Sequence, residues 1–119
     1  MSSTNAKLVP ATAELWQRFF GRAEKRTVRA LAMVRGEEVL GIGGYYVQDQ
    51  CVVMFSDISE EGMKYRRLIV RGAYELLRTA AQRKLPAHVV PDPRILGAER
   101  FLAQLGFRPS DQGVWEWRI

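Results

Sequence analysis

One cysteine, Cys51, in 119 residues excludes an internal disulfide. One histidine, His88, stands without a second ligand-type residue at any metal spacing, so no metal site is expected. No apolar run approaches the roughly 18–20 residues that a membrane span needs. The opening residues, Met1-Ser-Ser-Thr-Asn-Ala6, carry no apolar signal core, so export is not expected. The expected setting is a reducing cytoplasm, of a cell or of an infected host. Repeats and low-complexity segments are absent. Residues 1–10 read as a loose or edge-bound N-terminus and residues 11–119 as a single domain, long enough to bury one core.

Charge of one sign is in modest excess. There are 18 basic and 13 acidic residues, a net charge of +5. The charges are dispersed, and their densest cluster is Lys64, Arg66, Arg67 and Arg71. A nucleic-acid module would have to use that cluster, but an anionic cofactor accounts for it equally well, and nucleic acid is not the favoured partner.

What is present has clear periodicity. Ala11–Ala23 places Leu15, Trp16, Phe19 and Phe20 at helical spacing behind Pro10. Val28–Val34, Val39–Val47 and Cys51–Ile58 read as strands joined by Arg35-Gly36-Glu37 and Gln48-Asp49-Gln50, an antiparallel meander. Cys51 reads as a buried strand thiol. Met63–Arg83 is a long amphipathic helix, with Leu68, Ile69, Gly72, Ala73, Leu76 and Leu77 on one side and Lys64, Arg67, Arg71 and Arg78 on the other. Pro86 ends it, and Ala87–Val90 is a short strand parallel to Cys51–Ile58. Asp92-Pro93 reads as the start of a further helix. Gly106 closes that helix, with Phe107 folding back on Leu102. Val114–Trp117 is the last strand. The fold class is therefore α/β: a mixed, mostly antiparallel sheet with helices on both faces and a central parallel strand pair.

Gly41-Ile-Gly-Gly44 superficially looks like a dinucleotide loop. It lies inside a strand and opens no helix, so the glycines speak for a bulge or close backbone approach. The junction Ser56–Leu68 carries more. A strand runs through Ser59-Glu-Glu-Gly62 into a long helix, and a helix start with free N–H groups is a ready anion site. Here the loop has one glycine, two acids and then Lys64, Arg66 and Arg67.

This order of elements resembles the GNAT superfamily of acyl-CoA-dependent N-acetyltransferases over residues 11–119. Ala98-Glu-Arg-Phe-Leu-Ala-Gln-Leu-Gly-Phe107 is similar to that family's penultimate helix, and Val39-Leu-Gly-Ile-Gly-Gly-Tyr45 to its third strand. Gly41–Gly44, Asp49–Cys51, Ser56-Asp57, Arg66–Ile69 and Arg100–Leu102 are also similar to small phage GNAT-like proteins related to an internal virion protein of podoviruses. The resemblance implies acetyl-CoA as cofactor, an amine or a phage or host protein as partner, and a phage or prophage origin. It leaves open a homodimer, and a location in the host cytoplasm or the virion.

It also implies a site. Main-chain groups of Phe55, Ser56, Asp57 and Ile58 would hold the acyl-pantetheine arm. Gly62 and the N–H groups of Met63, Lys64 and Tyr65 would face the pyrophosphate, with Lys64, Arg66 and Arg67 supplying charge. Asp57 is the candidate general base and Tyr45, or its neighbour Tyr46, a candidate acid. The family's pyrophosphate-loop glycines are missing from Lys64–Ile69. Its thiolate-protonating tyrosine falls on Leu102, and a cofactor-contacting asparagine falls on Ile95. These departures support a rival reading, a catalytically silent GNAT-fold virion or assembly protein.

Overall fold

The computed structural model describes residues 5–94 and 97–117. The polypeptide runs β1 (Lys7–Pro10), α1 (Ala13–Phe20), β2 (Arg29–Arg35), β3 (Glu38–Gln48), β4 (Cys51–Ile58), α2 (Arg66–Ala81), β5 (Ala87–Val89), α3 (Ala98–Leu105), β6 (Arg108–Pro109) and β7 (Trp115–Trp117). Among the described residues the strands form one sheet in the order β1-β2-β3-β4-β5-β7-β6. Only β4 and β5 pair in parallel. The expected mixed sheet, with its single parallel pair at the centre, is what forms.

Local signals explain most boundaries. Thr12 caps α1, accepting from the Leu15 N–H, and Gly21 ends it at φ 74°. Thr12→Ala is expected to lower stability by about 1 kcal/mol, read from a denaturation midpoint. The β3–β4 hairpin turns on Asp49 and Gln50, both at positive φ, between the paired Gln48 and Cys51. Gly106 ends α3 at φ 102°. Its N–H donates to Ala103 O and that of Phe107 to Leu102 O, the expected Schellman ending.

Lys7–Pro10, read as loose or edge-bound, take the second form, an edge strand against Leu31–Val34. Two boundaries and one burial differ from the sequence reading. Met63 does not begin the long helix: Gly62–Lys64 form a 3-10 turn, Tyr65 breaks it at φ −102° and ψ 58°, and α2 starts at Arg66. Asp92 does not cap α3. It closes a local turn by accepting from the Arg94 N–H, and α3 begins after Gly97. Cys51 is half-buried at the start of β4, not enclosed.

The sheet divides two apolar layers. On one face α1 lays Trp16 against Ala32, Val34 and Ile42, with Phe55 alongside. On the other, α2 brings Leu76, Leu77 and Ala80 onto Tyr45, Val52 and Ala87, and Leu102 and Leu105 of α3 join them. Helices therefore cover both faces, as the amphipathic patterns predict. Among the described residues no helix is long and apolar enough to cross a membrane.

Candidate functional site

The parallel pair is short. β4 and β5 stay in register from Val52↔Ala87 to Met54↔Val89, and there β5 ends while β4 continues to Ile58. A gap opens beside Phe55–Ile58. Backbone direction decides which groups face it. The Val52 N–H donates to Pro86 O at 2.8 Å, on the β5 side. Alternation puts the Ser56 N–H on that same edge. The carbonyls of Phe55 and Asp57 point the other way, toward β3, lying 3.4 and 3.1 Å from where Gly43 and Gly41 would carry a Cβ. The Ser56 amide thus faces a place where the neighbouring strand has ended.

That gap belongs to a cavity of about 1030 Å³ between β4, α2, α3 and the segment after β5. Of the sequence-predicted residues, Phe55, Ser56, Met63 and Arg66 line it. Arg66 reaches across its mouth: a Cβ at Gly97, just ahead of α3, would sit 3.4 Å from Arg66 Nη2. Arg94 and Arg100 line the same mouth. Arg94 is already engaged, forming a bidentate pair with Asp92 at 2.7–3.2 Å. Sequence reasoning assigned no role to Arg94 or Arg100. The signal available was their position on either side of Gly97, which starts α3.

The hydrogen bond from the Arg94 side chain holds the Asp92 carboxyl below its ordinary value of 3.8. A carboxyl depressed in the folded state contributes stability above its unfolded pKa and loses it as pH falls through the folded value. Arg94→Ala is expected to move the Asp92 titration back up toward the ordinary range, and carbon-detected NMR titration of its side chain would show this.

The loop before α2 is built differently from expectation. The Met63, Lys64 and Tyr65 N–H groups donate to Ser59 O, Glu61 O and Gly62 O, so none is offered to a ligand. The Gly62 N–H is bound by Ser59 Oγ. Gly62 itself is buried, and a Cβ there would lie 2.6 Å from Leu40 O. Its role is close packing on β3, and it does not line the cavity. Lys64 is drawn to Glu61 at 3.1 Å and is mostly exposed. Arg35 anchors the same loop, donating to Glu61 Oε1 at 3.1 Å and to the Tyr65 hydroxyl at 3.0 Å, with Glu38 at 2.8 Å. Lys64 first and Arg35 second hold the Glu61 carboxyl below the usual range. Among the described residues, the Arg66 and Arg67 N–H groups at the start of α2 meet no acceptor. No side chain caps that end and no acid lies in its first turn.

The remaining predicted residues stand apart from the cavity lining. Asp57 is exposed on β4, on the α1 side of the strand, and adds to the field that keeps Arg94 charged. Ile58 is buried at the end of β4 and Arg67 is exposed on α2. Tyr45 is 2% exposed and sits in the core with Val52, Leu76 and Leu77, so it is a packing residue and not an accessible acid. Leu102 lines the cavity where a proton donor would be sought, and it has none to give. Ile95 lies outside the described residues. His88 leaves the cavity side and pairs with Glu116 on β7, at 3.6 Å.

A strand-edge amide facing a gap, an apolar cavity behind it and arginines at its mouth can take an elongated ligand with an apolar arm and an anionic end.

No protein-family model and no curated protein matches the sequence. Solved structures do match the fold. A Bordetella pertussis protein provisionally described as a GnaT-family acetyltransferase superposes with a TM-score of 0.64 at 13% identity, covering 98% of each chain. A Klebsiella pneumoniae protein, provisionally an acyl-CoA N-acyltransferase, gives 0.61 at 17% identity, over 94% of this chain and 96% of its own. A Chromobacterium violaceum protein, described as a probable GNAT-family acetyltransferase, gives 0.53 at 20% identity, over 78% of this chain and 51% of its own. The likeness is one of fold: this chain shares its architecture with these three structures.

Proposed function

We propose that this protein binds an acyl-CoA and transfers its acyl group to an amine. The observation that carries the reading is the parting of β4 and β5, which turns the Ser56 amide toward a cavity with Arg66 and the start of α2 at its mouth. The donors fit the ligand. The Ser56 N–H would donate to the thioester carbonyl oxygen, where charge develops as the amine attacks. The Arg66 and Arg67 amides, with the Arg66 and Arg100 guanidiniums, would hold the pyrophosphate. Asp57, exposed on the α1 side of β4 next to Ser56, would take a proton from an amine that approaches from that side of the sheet. When bound, the CoA thioester supplies the activated acyl carbon: a C–N bond forms and the C–S bond breaks. With leucine at position 102, the proton for the departing thiolate comes from water.

Calorimetry and thermal unfolding with CoA and acetyl-CoA at millimolar concentration test this. A melting temperature that climbs with ligand concentration is the expected result. Neither heat nor shift at millimolar ligand would end the acyl-CoA reading.

A second reading is favoured by two observations, the internally used amides of Met63–Tyr65 and the aliphatic Leu102. In it the chain is a GNAT-fold protein of phage or prophage origin that no longer catalyses and serves as a virion or assembly component. Acetyl-CoA consumption with a panel of primary amines, together with mass spectrometry of purified particles, separates the two. Turnover supports the enzyme; its absence, with the protein present in particles, supports the structural role.

A further inference from the structure

The cavity is divided by chemistry. Its charged side chains, Arg66, Asp92, Arg94 and Arg100, belong to α2's first turn, α3 and the segment after β5, which form the mouth; Ser56 of β4 and Tyr74 of α2 also bring hydroxyls to the lining. Its inner wall is Leu31, Met33, Gly43 and Met54 of the sheet, roofed by Ile69 and Leu76 of α2, with no polar side chain among them. The row leading inward from Ser56 starts with a residue that has no side chain: Ser56 pairs with Gly43, and Gly43 with Leu31. An acetyl methyl would fill only the space beside Ser56.

The fold does not require glycine at position 43. A Cβ there would meet only ordinary contacts, at 3.4 Å to Phe55 O, 3.6 Å to Ser56 Cβ and 3.9 Å to Leu76 Cδ1. The next residue shows what a sterically imposed glycine looks like: a Cβ on Gly44 would fall 2.3 Å from Arg29 O. What the bare backbone at Gly43 does is leave a carbon-sized space in the cavity floor, bounded by Phe55 O, Ser56 Cβ and Leu76 Cδ1 on the β3 side of Ser56.

We propose that the acyl group taken here is longer than acetyl: a straight aliphatic chain of the butanoyl-to-hexanoyl class, lying over Gly43 toward Leu31 and Met33 beneath α2. This rests on the acyl-CoA reading above. Each methylene moved from water onto that wall strengthens binding about fourfold.

Dissociation constants of the full chain for CoA, acetyl-CoA, butanoyl-CoA and hexanoyl-CoA, measured by calorimetry, test the proposal. Butanoyl-CoA, with two more methylenes, is expected to bind about fifteenfold tighter than acetyl-CoA, and hexanoyl-CoA tighter again. Equal affinity along the series overturns this inference and leaves the acyl-CoA reading standing. No binding of any member, CoA included, overturns both. Gly43→Val, which fills the floor, is expected to bring the butanoyl-to-acetyl preference down toward one. Gly43→Ala, whose Cβ the space admits, reports the same trend should the valine variant fail to fold. An unchanged preference in folded variants would place the chain elsewhere and overturn the assignment.

Discussion

Gly44→Ala should cost about 3–5 kcal/mol of stability or abolish folding. The added Cβ would stand 2.3 Å from Arg29 O, 2.7 Å from Ala30 Cβ and 2.8 Å from Ala30 Cα. Two of those atoms are backbone, so no rotamer change relieves the contact, and β2 and β3 must separate. These are central strands, with Ala32 and Ile42 fully buried beside the contact. Separation there would disturb the register of β3 and, through it, the β4 edge that carries Ser56. Gly43→Ala, one residue away, should stay close to neutral, because its Cβ finds only contacts of 3.4 Å and beyond. Urea denaturation of the two variants gives the comparison. A Gly44→Ala protein as stable as its parent would mean that β2 and β3 lie further apart at this point.

Removing the Arg66 side chain should weaken CoA binding about tenfold to a hundredfold, the range of one or two hydrogen bonds to a charged group. Arg66 lines the cavity mouth and is the first residue of α2, so it brings both a guanidinium and a free amide to the phosphate position. Its neighbours in sequence should matter much less. Lys64 is spent on Glu61, and Arg67 offers its amide but turns its side chain outside the lining. Lys64→Ala and Arg67→Ala are therefore expected to change affinity by no more than about threefold, the scale of exposed ion pairs. Equal losses across the three variants would indicate a diffuse electrostatic attraction and not a built site.

Local chemistry made much of this architecture legible. The strand order β2-β3-β4 follows from alternating apolar residues and from two tight turns. α2 follows from a stripe of Leu and Ile, and the α3 ending from Gly106 before Phe107. Each is decided by residues close in sequence. β1 was not legible, because Lys7–Pro10 is too short to show a period and gains its hydrogen bonds only by meeting β2. The start of α2 was misplaced for a related reason. Met63 and Lys64 have good helical propensity, but Ser59, pinned to Leu40 O, accepts from the Met63 amide and Glu61 O from that of Lys64, closing a 3-10 turn. The basic cluster was read as one unit, whereas the fold gives each cation a different fate.

By itself the sequence determined the fold class and the parallel pair at its centre, and it singled out the junction between β4 and α2 as the candidate site. Periodicity and turn chemistry carry that information, and both act over a few residues. Only the tertiary structure decided which groups face the cavity. That choice depends on where β5 stops beside β4, on which amides the turn after Ser59 has already bound, and on the start of α3 meeting Arg66 at Gly97. All three are contacts between segments far apart in the chain. No local pattern encodes them, because a hydrogen-bond donor is available to a ligand only after the rest of the fold has left it without a partner.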